Sequence, residues 1–346
     1  MGNKHTGKIL DYLMENPLSS STEIFEGSKL DIGFSTLKRY LTALLAEGLI
    51  VSTGKLKAVR YQLSPAYAVL HPIEVDRYFE REQDERKIQN QFNLELMTRV
   101  LNGISLFNAK ELEFLNGLQQ KFTDNVSHLS KSTYDKEMER LAIDLSWKSS
   151  QIEGNTYSLL ETERLLKEQE TAEGKPKDDA TMLLNHKDAI NFIIENPDYV
   201  EPLAISRIED IHSLLVKGLG VDRNLRQRRV GISGTNYVPL DNEHQIRDAI
   251  NELCLLINSK HNVFEKALLA LVMLSYIQPF ADGNKRTARI ISNALLIAYQ
   301  YCPISFRTVD SIEYKKAMLL FYEQNNIYAF KEIFKSQFEF AVKTYF

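Results

Sequence analysis

Apolar residues recur at helical spacing through most of the 346-residue chain, and its 15 glycines and 9 prolines mostly punctuate amphipathic segments. Ile9, Leu10, Tyr12 and Leu13 predict a short helix closed by Asn16-Pro17, and Ser20, Ser21 and Thr22 offer N-caps for a second helix through Phe25. Phe34 to Leu49 predicts a third, with Leu37, Leu41, Leu44, Leu45 and Leu49 on its apolar face and Gly48 near its end. The pattern then changes, and Ile50-Val51-Ser52 and Val59 to Leu63 read as two strands around Gly54. Later segments return to helical spacing: Lys136 to Ile152, Phe264 to Tyr276 and Lys285 to Tyr299. Arg229 to Ile232 and Asn236 to Pro239 flank Ser233-Gly234-Thr235 and predict a hairpin inside this helical region. The expected fold class is mainly α.

Composition narrows the function classes. The chain is 44% hydrophobic and 25% charged, as expected of a folded soluble protein long enough for two or three domains. A formal net charge of −4 gives no general reason to expect nucleic-acid or membrane binding, so any such contact would need a local patch. Cys254 and Cys302 lie far apart in apolar surroundings and read as free thiols in a reducing compartment. Met1 to His5 lacks the apolar segment of a signal peptide, and the run Ala267 to Ile277 is shorter than the roughly 20 residues that span a bilayer. A cytoplasmic protein without a membrane contact is expected.

The densest chemistry lies between the last two long helices, in Gln278-Pro279-Phe280-Ala281-Asp282-Gly283-Asn284-Lys285-Arg286-Thr287-Ala288-Arg289. Pro279 disfavours helix at the residue before it, so the first helix should end near Ile277. Asp282-Gly283-Asn284 is a turn, which places Lys285, Arg286 and Arg289 in the opening turns of the next helix. Cations are electrostatically unfavourable there unless an anion joins them, and phosphate is the obvious candidate. Asp282 is a hard oxygen ligand suited to Mg²⁺ beside phosphate oxygens. Charge and periodicity alone are equally compatible with a solvated basic turn capped by Asn284.

This segment resembles the active-site motif of Fic (Fido) proteins, H-P-F-x-[D/E]-G-N-G-R-x-x-R. Pro279, Phe280, Asp282, Gly283, Asn284, Arg286 and Arg289 match at unbroken spacing. The resemblance implies transfer of AMP from ATP to a hydroxyl of a target protein. It implies that Asp282 holds Mg²⁺, Gly283 and Asn284 form an anion hole, and Arg286 and Arg289 hold the outer phosphates. Gln278 stands where the family has its catalytic histidine. Glutamine can hydrogen-bond a hydroxyl but cannot accept its proton at neutral pH, and loss of a general base typically lowers rates by about 10²–10⁴. Lys285 replaces a glycine and resembles the N-K-R of the Doc toxin branch, which phosphorylates its target; Doc lacks the last arginine, supplied here by Arg289. His212 and His261 are candidate bases only through their place in this region, where packing or capping explains them as well.

Two further segments acquire meaning beside the loop. Ser149 and Glu153, four residues apart on one side of a helix ending at Gly154, resemble the inhibitory motif [S/T]-x-x-x-E-[G/N] of many Fic proteins. That resemblance implies a pair between Glu153 and Arg289 that blocks productive ATP binding, with an inhibitory helix N-terminal to the catalytic core. The expected hairpin, including Gly231, Ile232, Tyr237 and Val238, resembles the flap that pairs with an extended target segment by β-augmentation. Asn185-His186-Lys187-Asp188-Ala189 and Ile211-His212-Ser213-Leu214-Leu215 are also family-like.

The N-terminal pattern of three helices and two strands resembles a winged helix-turn-helix. It implies Ser35, Thr36, Lys38 and Arg39 on a recognition helix and Lys55, Lys57 and Arg60 on or beside the wing. Acidic neighbours such as Glu23, Glu26 and Asp31 offset these charges, and winged helices also bind proteins. The expected organisation is a winged helix over residues 1–65, a helical connector over 66–130 and a Fic domain with its inhibitory helix over 131–346. A dimer would suit both modules. Three functions stand open: an autoinhibited protein adenylyltransferase slowed by Gln278, a Doc-like protein kinase, and a DNA-binding regulator whose degenerate Fic domain senses a nucleotide.

Overall fold

The computed structural model describes residues 4–55 and 58–346. The chain divides into two compact units, one formed by the residues up to Ile73 with Gln324–Tyr328, the other by Glu74–Glu323 with Ala329–Phe346.

In the first unit, α1 (Lys4–Glu15), α2 (Ser21–Gly27) and α3 (Phe34–Ala46) precede β1 (Ile50–Thr53), β2 (Arg60–Leu63) and α4 (Pro65–Leu70). A capping box starts α2: Ser20 Oγ accepts from the Glu23 N–H, and the Glu23 carboxylate accepts from the Ser20 N–H. Gly48 takes a left-handed φ of 68° and the Leu49 N–H turns back to the Leu44 carbonyl, so α3 stops at Ala46. The strands are antiparallel with Ile50 opposite Leu63, and Ser19 adds an antiparallel bridge to Tyr61. Ile9, Leu13, Ile24, Leu37, Leu41 and Ile50 meet in one apolar core, as helical spacing on three helices requires.

The helices that follow are α5 (Val75–Tyr78), α6 (Ala109–Ser127), α7 (Lys131–Ile152), α8 (Leu159–Glu168), α9 (Lys177–Glu195), α10 (Ile205–Val216), α11 (Glu243–Ser259), α12 (Val263–Ile277), α13 (Asn284–Ala298), α14 (Ser311–Gln324) and α15 (Tyr328–Tyr345). α12 is buried at every position and packs along α13, itself buried over most of its length. A helix apolar on all sides belongs in a core, and each fully buried Leu, Ile, Val or Phe contributes about 1.5–3 kcal/mol. The loop between α12 and α13 is therefore mounted on two largely buried helices. Cys254 and Cys302 are buried free thiols. Among the described residues no helix is long and apolar enough to cross a membrane.

The hairpin expected at Arg229 to Ile232 and Asn236 to Pro239 does not form. Among the described residues the only sheet is β1–β2. Ser233 and Gly234 do make a turn, but the arm beyond it pairs elsewhere: the Val238 N–H donates to Asn90 O at 2.9 Å, and Val238 bridges Gln91 in parallel. Tyr237 draws it there. Its buried ring stacks on Tyr276 at 4.8 Å, and its hydroxyl donates to the Tyr276 carbonyl at 2.9 Å. Arg86 donates to Gly234 O and Asn236 to Asp84, completing the attachment. The turn residues Ser233-Gly234-Thr235 located the bend but carried no information about the pairing partner of the arm beyond it.

Candidate functional site

The loop is held open by its own hydrogen bonds. Gln278 caps α12 in the left-handed region, with φ 52° and ψ 59°. Its Nε2 donates to Ser275 O at 2.6 Å, and its Oε1 accepts from Asn284 Nδ2 at 3.0 Å. Asn284 also grips Phe280, accepting from its N–H and donating to its carbonyl, both at 2.8 Å. The Phe280 ring is buried and stacks on His212 at 3.6 Å, nearly parallel. Gly283 has φ 79°, and a Cβ there would lie 3.2 Å from His212 Cε1. Only glycine meets both demands without strain.

This geometry leaves the start of α13 free. No side chain caps it, so the N–H groups of Asn284, Lys285 and Arg286 lack an intrahelical acceptor, the first being supplied to Thr287 by Gly283 O. These three residues help line a cavity of about 380 Å³, together with Glu153, Gly231, Ile232, Gln278, residues 281–283, Tyr314 and Tyr322. Asp282 stands at its edge with 67% of its side chain exposed and pairs with Arg286 at 3.2 Å.

Arg289 does not line the cavity. It is fully buried, and Glu153 stands at the cavity wall in front of it. Arg289 Nη2 donates to Glu153 Oε1 at 2.8 Å and to Ser149 O at 2.9 Å, while its Nε donates to Ser149 Oγ at 2.7 Å. Lys285 Nζ meets the other carboxylate oxygen at 3.4 Å. Ser149 Oγ also lies 2.6 Å from His186 Nε2. The buried hydroxyls of Tyr314 and Tyr322 line the cavity, the first beside Arg289 and the second beside Gln278. Polar groups of this kind in a polar cavity suit a polar ligand.

The electrostatics follow from this crowding. Burial opposes ionisation of Glu153, but Arg289 and Lys285 outweigh it and hold the carboxyl below its ordinary range. His186 is kept neutral by burial and then by the charges of Arg289 and Arg286. Burial likewise pushes His212 down to about 4, although its Nε2 faces the Asp222 carbonyl. His212 is buried packing beneath Phe280, and His261 is exposed between α11 and α12. Neither lines the cavity with Gln278.

Asp282, Gly283, Asn284, Lys285, Arg286, Gln278 and Glu153 converge on the cavity, with Ser149 and Arg289 directly behind. Gly231 and Ile232 line its rim, whereas Tyr237 is buried and Val238 is half exposed on the neighbouring segment. In the first unit, Ser35, Thr36, Lys38 and Arg39 lie at the start of α3, with Ser35, Lys38 and Arg39 exposed and Lys38 Nζ 5.0 Å from the Phe34 ring. Arg60 is paired with Glu23 at 2.7 Å, Lys55 is exposed, and Lys57 lies outside the described residues.

Sequence reasoning missed Arg226 as a member of the site. Its N–H donates to Pro279 O at 3.0 Å and its Nε to Gln278 O at 2.6 Å, while Nη1 and Nη2 reach Arg228 O and Leu240 O. One buried guanidinium thus fastens the motif loop to the segment carrying Gly231 and Ile232. In sequence it is one of four arginines between residues 223 and 229, without a signal to set it apart. Tyr314 and Tyr322 were missed for a similar reason, as aromatic positions on an ordinary helix.

Comparison with known proteins bears on the same region. Residues 202–296, spanning α10 to α13, match the Fic/DOC family model. The protein named Protein adenylyltransferase Fic of Nematostella vectensis is 27% identical over 296 residues, covering 79% of this chain and 68% of its own. Its namesake in Drosophila ananassae is 27% identical over 304 residues, and this chain spans only 58% of that protein's length. Among solved structures, Fic-1 from C. elegans superposes with a TM-score of 0.59 at 17% identity, over 68% of this chain and 71% of that one. A Fic domain-containing signaling protein from Bacteroides thetaiotaomicron gives a TM-score of 0.57 at 20% identity, over 67% and 95%.

Proposed function

We propose that this chain, a Fic-domain protein by its family match and its relatives, binds ATP in the cavity over α13 as a protein adenylyltransferase kept closed by Glu153. The observation that carries the reading is the placement of Glu153. It lines the cavity while pairing with the buried Arg289, which does not line it, and a carboxylate between cations at a helix N-terminus stands where a phosphate would.

With Glu153 displaced, the phosphates would lie on the Asn284, Lys285 and Arg286 N–H groups, with Arg286 and Arg289 as counter-charges. Asp282 is a single exposed carboxylate, and among the described residues no cluster of three acidic, histidine or cysteine side chains forms a metal site. This donor set fits Mg²⁺ only when phosphate oxygens complete its shell, as Mg²⁺ sites commonly do. When bound there, Mg²⁺ would neutralise phosphate charge. Transfer joins the target hydroxyl oxygen to the α-phosphorus and expels pyrophosphate, and the hydroxyl proton needs an acceptor. Gln278 cannot serve, because an amide is not a base and its carbonyl oxygen already accepts from Asn284. Binding without rapid turnover is the expected behaviour. The backbone of Arg229 to Ile232, which makes no strand pairing, is the stretch that would receive an extended target segment.

Incubating Glu153→Gly protein with ATP labelled at the α- or γ-phosphate tests the reading. Protein-bound label from the α-position supports AMP transfer. Label from the γ-position alone would establish the kinase alternative that Lys285 motivates. Failure of every variant to bind Mg–ATP in calorimetry would defeat the proposal.

A second reading rests on the first unit, whose α3 exposes Ser35, Lys38 and Arg39 beside a two-stranded sheet. As a winged helix it would bind DNA and make the chain a nucleotide-sensing regulator. Fluorescence anisotropy with duplex DNA tests this: salt-dependent binding lost in a Lys38→Ala, Arg39→Ala variant is expected, and no binding at low salt would exclude it.

A further inference from the structure

Glu153 is held from both sides. Its Oε1 accepts from Arg289 at 2.8 Å, and its Oε2 faces Lys285 Nζ at 3.4 Å. The two cations sit in unlike settings. Arg289 is fully buried and would keep Ser149 as a partner without Glu153. Lys285 stands on the opening turn of α13 with a quarter of its side chain exposed, and Glu153 is its ion-pair partner. An ammonium there opposes the positive end of the helix dipole and neighbours Arg286, so an anion beside it is favourable.

We propose that Lys285 is a second latch on Glu153, so that opening the cavity breaks two ion pairs rather than one, and the ammonium thereby released faces the incoming polyphosphate. The inference rests on the reading of the cavity as a nucleotide site. Lys285 lines that cavity beside Asp282, Gly283 and Asn284, so a phosphate replacing the Glu153 carboxylate arrives within its reach. The latch would make Glu153 harder to displace while adding a charge to the open site. These two effects act on affinity in opposite directions, which makes them separable.

The test is a double-mutant cycle in the full chain with Lys285→Gln, Glu153→Gln and both together, read by calorimetry with Mg–ATP. With Glu153 present, Lys285→Gln should raise ATP affinity about threefold, the scale of a partly exposed ion pair. In the Glu153→Gln background it should lower affinity or leave it unchanged. An equal change in both backgrounds would overturn the latch. The same four proteins are unfolded with denaturant in the absence of nucleotide, where Lys285→Gln should lower the midpoint only when Glu153 is present. An identical midpoint shift in both backgrounds overturns the latch by a route independent of ATP. If no variant binds ATP, the functional proposal fails, and the unfolding cycle still decides whether the latch exists.

Discussion

Gln278 Oε1 accepts a hydrogen bond from Asn284 Nδ2 at 3.0 Å across the motif loop. Gln278, which stands where the Fic resemblance implies a catalytic base, is thereby built into the loop's scaffold. Its acceptor oxygen is held by the side chain that also grips Phe280. The loop keeps its shape, and Gln278 itself offers no group that takes up a proton at neutral pH.

Gln278→His, placed in the Glu153→Gly background, should raise transfer of α-label to protein by about 10²–10⁴ if proton acceptance is the sole defect. An unchanged rate with normal Mg–ATP binding would mean that loss of the base does not limit the proposed transfer.

Arg289→Ala should abolish measurable ATP binding and destabilise the fold by about 3–5 kcal/mol, because it leaves a carboxylate in the wall facing only the more distant Lys285. Denaturant unfolding and calorimetry on the same protein give both numbers. Glu153→Gln should cost less stability than Arg289→Ala, since Arg289 retains Ser149.

Gly283→Ala should weaken ATP binding and lower stability by about 1–3 kcal/mol. The new Cβ would be strained at φ 79° and lie 3.2 Å from His212, within the stack that supports Phe280. A melting temperature equal to that of the unsubstituted protein would refute the close fit of α10 against the loop.

Stability should fall with acid in two steps. His212 ionises more readily unfolded, at its ordinary value of 6.5, than folded, at about 4. Its neutral form is favoured by folding, so its contribution is intact above 6.5 and declines as pH falls towards 4, on the order of 3 kcal/mol in all. Glu153 is depressed below its ordinary 4.5, so its ion pairs persist at neutral pH and are lost only as pH falls below that value. Melts of His212→Asn should show a shallower decline between pH 6.5 and 4, and those of Glu153→Gln a shallower decline below 4.5.

The sequence by itself determined the mainly helical fold and the two buried helices around the motif. Those features depend on local periodicity and on Pro279 and Gly283 at positions where backbone geometry admits few alternatives. It also placed Ser149 and Glu153 one helical turn apart, because that spacing is intrinsic to a helix. Only the tertiary structure decided what those residues meet. Glu153 finds Lys285 as well as Arg289, His186 backs Ser149, and Arg226 ties the motif to the neighbouring rim, each across more than thirty residues of chain. The segment around Tyr237 gives the same lesson in reverse. Two segments flanking Ser233-Gly234-Thr235 suggested a hairpin, but a buried aromatic stack fixed the second to residues 83–91, because packing area and backbone partners are set in three dimensions and not by the order of neighbours along the chain.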